Sequence, residues 1–361
     1  MITNPWFYPL NQDQKNNLKF DLIDLSCLHK FDNNNSVYYL INIKTSTDLQ
    51  IPDGKDLYIF SWFFEPFVDQ WFLDIYNRNP QAEFVILTDL QKNNFSMLPR
   101  VIVFTLYHYA TWIKAIRQTN SGPITKPLQQ RKYKISALSS RLSEFKFYVT
   151  CKLLDHCRED VFVSWNRGFD VRSEDSFIFE STGYTHMDRL LNNYKELLKN
   201  NKINPDTWEN NPLNNCCYDH VAYEESIINC INETQNISRT PEFGTLPGPY
   251  ITEKTWKPLF SGNAVLFSGQ ARIKKTLEDF GFRFDYPWAQ NCDDEFNDSQ
   301  RCETLLNHID WVLSLDSDTL CSMCSDSVQH NIDLAWSGRV ESTISDYNQS
   351  SIEKIKKHLG L

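Results

Sequence analysis

Short runs of β-branched and aromatic residues alternate with stretches of helical periodicity, and this alternation restricts the chain to few architectures. SVYYLINI (Ser36–Ile43), LYIFSW (Leu57–Trp62), FVILT (Phe84–Thr88) and VIVFT (Val101–Thr105) read as strands. Between the second and third, Glu65–Asn77 carries Phe67, Trp71, Phe72 and Ile75 at helical spacing. Gly122 and Pro123 then interrupt the pattern, and it restarts beyond them. Lys134–Ser139 begins a strand, Arg141–Cys157 is helical, and Asp160–Trp165 is a further strand. Met187–Asn200 reads as an amphipathic helix. Ser226–Asn232 and Ala264–Ser268 read as buried strands separated by a helix starting near Thr252. Strands alternating with helices build parallel α/β sheets. A chain of 361 residues exceeds one ordinary core, so two α/β domains in series are expected, each of roughly 130–200 residues. A site is then expected in the cleft between them, at the carboxyl ends of strands.

Composition removes several alternatives. Apolar residues make up 41% of the chain and aromatics 14%, enough for packed cores and too much for global disorder. A net charge of −10 argues against a protein that tracks a phosphate backbone, although a few local cations suffice for one nucleotide. The N-terminal residues lack a basic stretch followed by an apolar run, so no signal peptide is expected. His108 and Lys114 interrupt the longest apolar stretch, Val101–Ile116, which falls short of a bilayer span. The expectation is a soluble, cytoplasmic protein with at most peripheral membrane contact. In that compartment its ten cysteines stay reduced. Cys321 and Cys324 form a CxxC pair that no second pair completes, despite Cys302 and His308 nearby, so no zinc site is expected.

The chemistry concentrates in Pro249–Gly269, PYITEKTWKPLFSGNAVLFSG. Thr252 is a helix cap, and Glu253 opposes the positive end of the helix dipole. A helix start after a loop is a ready anion site, and Lys254 adds a point charge to it. An ordinary capped helix with solvated charges would read the same way. The segment, with Gly262, Val265 and Gly269, closely resembles the donor-site motif of the α1,3-fucosyltransferase family. It also resembles bacterial and phage glycosyltransferases carrying T-E-K-T-(W/F)-K-P. Ile231-Asn232-Glu233-Thr234 is similar to the tetrapeptide that the phage-type enzymes place at the preceding strand end. The resemblance implies that Glu253 grips the donor ribose, Lys254 holds the diphosphate, and Tyr250 packs at the nucleotide. Asn232 and Glu233 join the donor site. The stretch Gln235–Gly248 is longer than fucosyltransferases usually have.

Ser61-Trp62-Phe63-Phe64-Glu65-Pro66 resembles the W-F-x-x-E-S-P segment of fucosyltransferase acceptor domains, in which the glutamate is the general base. A carboxylate at a strand end among aromatics is partly desolvated, which suits it to accept a proton. Glu65 also fits a helix start with Pro66 in its first turn. Lys134–Leu153 looks like the strand–turn–helix that opens the family's donor domain, with either Arg141 or Lys146 as the diphosphate cation. Leu277–Arg301 resembles the phage-type set through Gly281-Phe282, Asp285, Asp294-Glu295 and Arg301, with a structural role expected. Asp316-Ser317-Asp318 is a D-x-D, the metal signature of the other glycosyltransferase fold. It follows the helical Leu305–Leu315, where helix-terminating residues are expected.

The resemblance therefore implies a GT-B protein, with two Rossmann-like α/β domains facing across a cleft. Residues 1–130 would form the acceptor-binding domain, 131–345 the donor domain, and 346–361 a helix returning to the first domain. The implied activity is sugar transfer from a nucleotide-sugar donor, a GDP-linked one among the candidates, to a carbohydrate, glycoconjugate or other hydroxyl acceptor. No cofactor or metal is expected, no nucleic acid is a partner, and direct displacement would invert the anomeric centre. Two rivals stay open: a metal-dependent transferase using Asp316 and Asp318, and a non-catalytic carbohydrate- or nucleotide-binding protein.

Overall fold

Two all-parallel sheets organise the chain. The structure, a computed structural model, describes residues 37–41, 53–62, 69–88, 98–105, 107, 109–139, 144–156, 158–165, 204–205, 221–233, 239–240, 244–245, 249, 251–290 and 298–359. The chain divides into two compact units. One comprises Met1–Thr111, Thr240–Gly248 and Glu341–Leu361, and the other Trp112–Arg239 and Pro249–Val340.

In the first unit β1 (Val37–Ile41), β2 (Leu57–Trp62), β3 (Glu83–Thr88) and β4 (Val101–Thr105) lie side by side in chain order. Every neighbouring pair is parallel. Successive side chains of a strand point to opposite faces, so Tyr58 and Phe60 share one side of β2, where they stack with Phe84 of β3. Helix α1 (Asp69–Arg78) contributes the buried Phe72 and Ile75 to this core. Arg100 closes its edge: the guanidinium lies 3.9 Å from the centre of the Tyr76 ring and donates to the carbonyls of Tyr76, Asn79 and Ala82. The stretch read as one apolar run, Val101–Ile116, is two elements, because α2 (Tyr109–Thr119) follows β4. Tyr109, Ile113 and Ile116 are its buried stripe, and from Trp112 onward the helix is counted in the second unit.

The second unit holds β5 (Tyr133–Ser139), α3 (Glu144–Asp155), β6 (Val161–Trp165), the two-residue β7 (Asn204–Pro205), the single turn α4 (Val221–Glu224) and β8 (Ser226–Asn232). Two short strands, β9 (Arg239–Thr240) and β10 (Gly244–Thr245), pair with each other, and from Thr240 to Gly248 the chain is counted in the first unit. Next come α5 (Glu253–Ser261), β11 (Ala264–Ser268), α6 (Ile273–Asp279), α7 (Asp298–Ser314) and α8 (Ser317–Trp336). The sheet order is β11-β8-β5-β6-β7, all parallel. The chain thus starts in the middle, builds outward on one side through β6 and β7, and returns to build the other side through β8 and β11. That is the doubly wound, Rossmann-like order, and its reversal falls between β5 and β8. The expected helix Met187–Asn200 lies outside the described residues.

Helix α7 ends at Ser314, close to the expected Leu315, and Asp316 lies in the break as expected. The sequence reading did not foresee that Asp316 also caps a further helix, α8: its carboxylate accepts from the Thr319 amide and hydroxyl, each at 2.8 Å. An aspartate in extended conformation satisfies an otherwise unpaired first-turn amide, and those bonds hold its carboxyl below the usual carboxylate range. Cys321 and Cys324 face inward on α8. Burial pushes their thiols up to about 11 and about 12, so both stay protonated at neutral pH. The last helix, α9 (Arg339–Leu359), belongs to the first unit from Glu341 onward. There Asn348 exchanges two hydrogen bonds with the Tyr107 backbone.

Candidate functional site

The carboxyl ends of β8 and β11 pair at Asn232 and Ser268, with β8 lying directly beside β5 at the reversal of strand order. Ligands of open parallel sheets bind outside such a point. Immediately after β8, Glu233 donates its backbone N–H to the Ser268 carbonyl at 3.0 Å and is fully buried. Asn232 is buried as well, its amide reaching the Leu138 carbonyl at the end of β5 at 3.4 Å.

Helix α5 starts at this edge. Thr252 is its cap, in extended conformation, and its hydroxyl accepts from the Lys254 amide at 3.3 Å. The Glu233 carboxylate meets the helix from beneath. One oxygen accepts from the Thr252 amide at 2.9 Å and the Thr255 hydroxyl at 2.5 Å, and the other from the Thr252 hydroxyl at 2.7 Å. Glu233, expected among the donor contacts, therefore turns its carboxylate to the helix start.

From Thr255 to Ser261 every residue of α5 is buried, whereas Glu253 and Lys254 retain partial exposure. Trp256 and Phe260 are fully buried, and the Phe260 carbonyl accepts from the Trp336 indole of α8. Gly262 ends the helix with φ +86, and its N–H and that of Asn263 both bond to the Pro258 carbonyl. A side chain at Gly262 would be strained by that φ, and its Cβ would sit 2.8 Å from Ile332 Cδ1.

The first turn of α5 carries the charge. Lys254 Nζ donates to Glu253 Oε1 at 2.7 Å and lies 3.4 Å from the Thr252 hydroxyl. Lys257, one turn on and buried, acts on the same carboxylate and stands 5.6 Å from the centre of the Tyr223 ring. Burial alone would raise the Glu253 pKa, but the two lysines outweigh it and hold the carboxyl below its ordinary range. A carboxylate depressed in the fold stabilises it above the unfolded pKa, and that contribution is lost as pH falls through the folded value. Thermal unfolding curves taken between about pH 5 and pH 3 should therefore decline more steeply for the parent than for Glu253→Gln. Equal declines would show that the pair contributes nothing.

Two further groups shape this edge. Gly269 follows β11, and a Cβ there would lie 3.3 Å from Glu233 Cβ and 2.3 Å from Ile273 Cδ1. Arg301, expected to be structural, is buried and donates through Nε to the Gly269 carbonyl at 3.0 Å. Lys146 is the third residue of α3, the helix that follows β5, and is buried. Of the residues singled out from sequence, the structure brings Glu233, Thr252, Glu253 and Lys254 into one bonded group, with Asn232 adjoining it in the chain. Tyr250, Arg141, Glu65, Asp294 and Glu295 lie outside the described residues. Thr255 and Lys257 were not among the sequence candidates. Their positions three and four residues after Thr252 and Glu253, within reach of one helical turn, are the signal that could have found them.

No family model matches the chain, and no curated protein matches it. Among solved structures, a mutant of T4 phage BGT in complex with UDP-glucose is similar, with a TM-score of 0.41 and 11% identity. The match covers 85% of this chain and 75% of that one.

Proposed function

We propose that the chain is a glycosyltransferase of the GT-B kind, which transfers a sugar from a nucleotide donor to a hydroxyl acceptor without a metal and with inversion. The observation that carries the reading is the place of the T-E-K helix. Its capped start adjoins the carboxyl end of β8, at the reversal point of a doubly wound parallel sheet. Ligands with phosphate groups favour such a point because helix amides and a nearby cation face them there.

Each residue takes a role from its chemistry. Lys254 neutralises charge that develops on the leaving diphosphate, helped by Arg141 or Lys146. Glu253, held ionised by Lys254 and Lys257, accepts from ribose hydroxyls, and Tyr250 packs at the nucleotide. Glu65 takes the proton of the attacking hydroxyl. Cations then do the work that a divalent ion does in a D-x-D enzyme. The engagement of the Asp316 carboxylate with Thr319 supports that choice over the D-x-D rival.

A thermal-shift screen of UDP, GDP, ADP and their sugar conjugates, run with and without EDTA, tests the reading. A ligand that binds only the folded protein raises the midpoint by mass action. The expected result is stabilisation by one nucleoside diphosphate and its sugar conjugate, undiminished by EDTA. Stabilisation that needs Mn²⁺ would move the assignment to the metal-dependent rival, and no stabilisation by any of them would remove the donor site.

A further inference from the structure

The bond pattern at Glu233 has a polarity. Among the described residues its two carboxylate oxygens accept from the Thr252 amide, the Thr252 hydroxyl and the Thr255 hydroxyl. Because the Thr252 hydroxyl gives its proton to Glu233, its lone pairs are left for the Lys254 amide at 3.3 Å and Lys254 Nζ at 3.4 Å. The Glu233 side chain is enclosed at its base. Glu233 is fully buried, its backbone is tied to Ser268, and Gly269 lies so close that even one added carbon would stand 3.3 Å from its Cβ. Arg301 holds the Gly269 carbonyl from the other side.

We propose that Glu233 is a positioning residue, which acts through Thr252 and Thr255 to aim Lys254 at the donor's diphosphate. This rests on the donor-site reading above. A cap alone needs no carboxylate beneath it, since Thr252 already accepts from the Lys254 amide. What the carboxylate adds is direction, because it fixes which way the Thr252 hydroxyl points and so where lysine Nζ is drawn.

Glu233→Gln keeps the shape and reverses the polarity at one end. With its NH₂ toward the Thr252 hydroxyl, the amide turns that proton back onto the Lys254 donors. With the NH₂ on the other side, it opposes the Thr252 amide and the Thr255 hydroxyl. Either way a buried donor loses its acceptor, which weakens the arrangement that depends on it.

The test compares equilibrium binding of UDP, GDP and ADP with that of uridine, guanosine and adenosine, for the parent, Glu233→Gln, Thr255→Val and Lys254→Ala. Glu233→Gln should lose about tenfold in affinity for the preferred diphosphate, while its nucleoside affinity stays within about twofold. Thr255→Val, which removes one donor at nearly constant volume, should lose about threefold with the same selectivity. It decides alone if Glu233→Gln does not fold. Unchanged diphosphate affinity in these variants overturns the proposal. So does an equal fall for diphosphate and nucleoside, the mark of a purely structural role. If the parent binds none of UDP, GDP and ADP, or Lys254→Ala leaves the diphosphate affinity intact, the donor-site reading itself fails and the positioning role falls with it.

Discussion

Lys254→Ala is expected to slow sugar transfer by about 10²–10³ and to weaken nucleoside diphosphate binding in parallel. The leaving diphosphate gains charge as the glycosidic bond breaks, and the proposed mechanism has no metal to absorb it. A fixed cation whose position is set before the donor arrives needs no reorganisation at the moment of reaction, which is why its removal costs so much. Lys254 meets that requirement: it is partly exposed at the first turn of α5, paired with Glu253 at 2.7 Å, and steadied by the Thr252 hydroxyl. Lys257 cannot substitute, since it is buried one turn deeper. Single-turnover rates with the donor identified by thermal shift make the measurement. An alanine variant that binds and turns over like the parent would mean that the T-E-K likeness misleads in this chain.

Glu65→Gln should leave donor binding intact while transfer falls by about 10²–10⁴. Glu65 follows the carboxyl end of β2, which closes at Trp62, by three residues. Parallel sheets present their functional groups beyond such ends, and this sheet is parallel throughout. The glutamine keeps size and hydrogen-bonding reach but cannot accept the acceptor's proton, so the loss should appear in kcat with the donor KM little changed. Asp69, the nearest other carboxylate, opens α1 one turn further on, and Asp69→Asn serves as the control. Transfer that survives in Glu65→Gln assigns the base to another carboxylate or excludes direct displacement.

The elements legible in the sequence were those with a clean hydropathic signature. β2, β4, β8 and β11 run between the residues expected, because β-branched and aromatic runs bounded by polar or turn residues mark strands. The start of α5 was legible as well, since Thr252 and Glu253 mark a cap. Helix α8 was not. Its inward stripe mixes Leu320, Val328 and Leu334 with Cys321, Cys324, Ser327 and Asn331. Ser327 and Asn331 bury themselves by bonding to Asp285 and to the Arg283 backbone, which dilutes the apolar period on which a sequence reading depends. At the candidate site the residue types were legible but the bonds were not. Glu233 and Thr252 lie 19 residues apart, with Gln235–Gly248 between them, and nothing local marks a carboxylate as the underside of a distant helix. Strand order was equally invisible, since the same strands could have paired in chain order, as β1 to β4 do.

The burial of α5 from Thr255 to Ser261 has a consequence for anyone who randomises this segment. Positions 255–261 answer to the interior: substitutions there should be filtered first by whether soluble protein accumulates, with activity reporting only on the survivors. On the proposed donor-site reading, positions 252–254 answer to the ligand, because their side chains cap, pair or face solvent. A library spanning the whole motif would mix two selections with different readouts, and the boundary between them falls within the first helical turn.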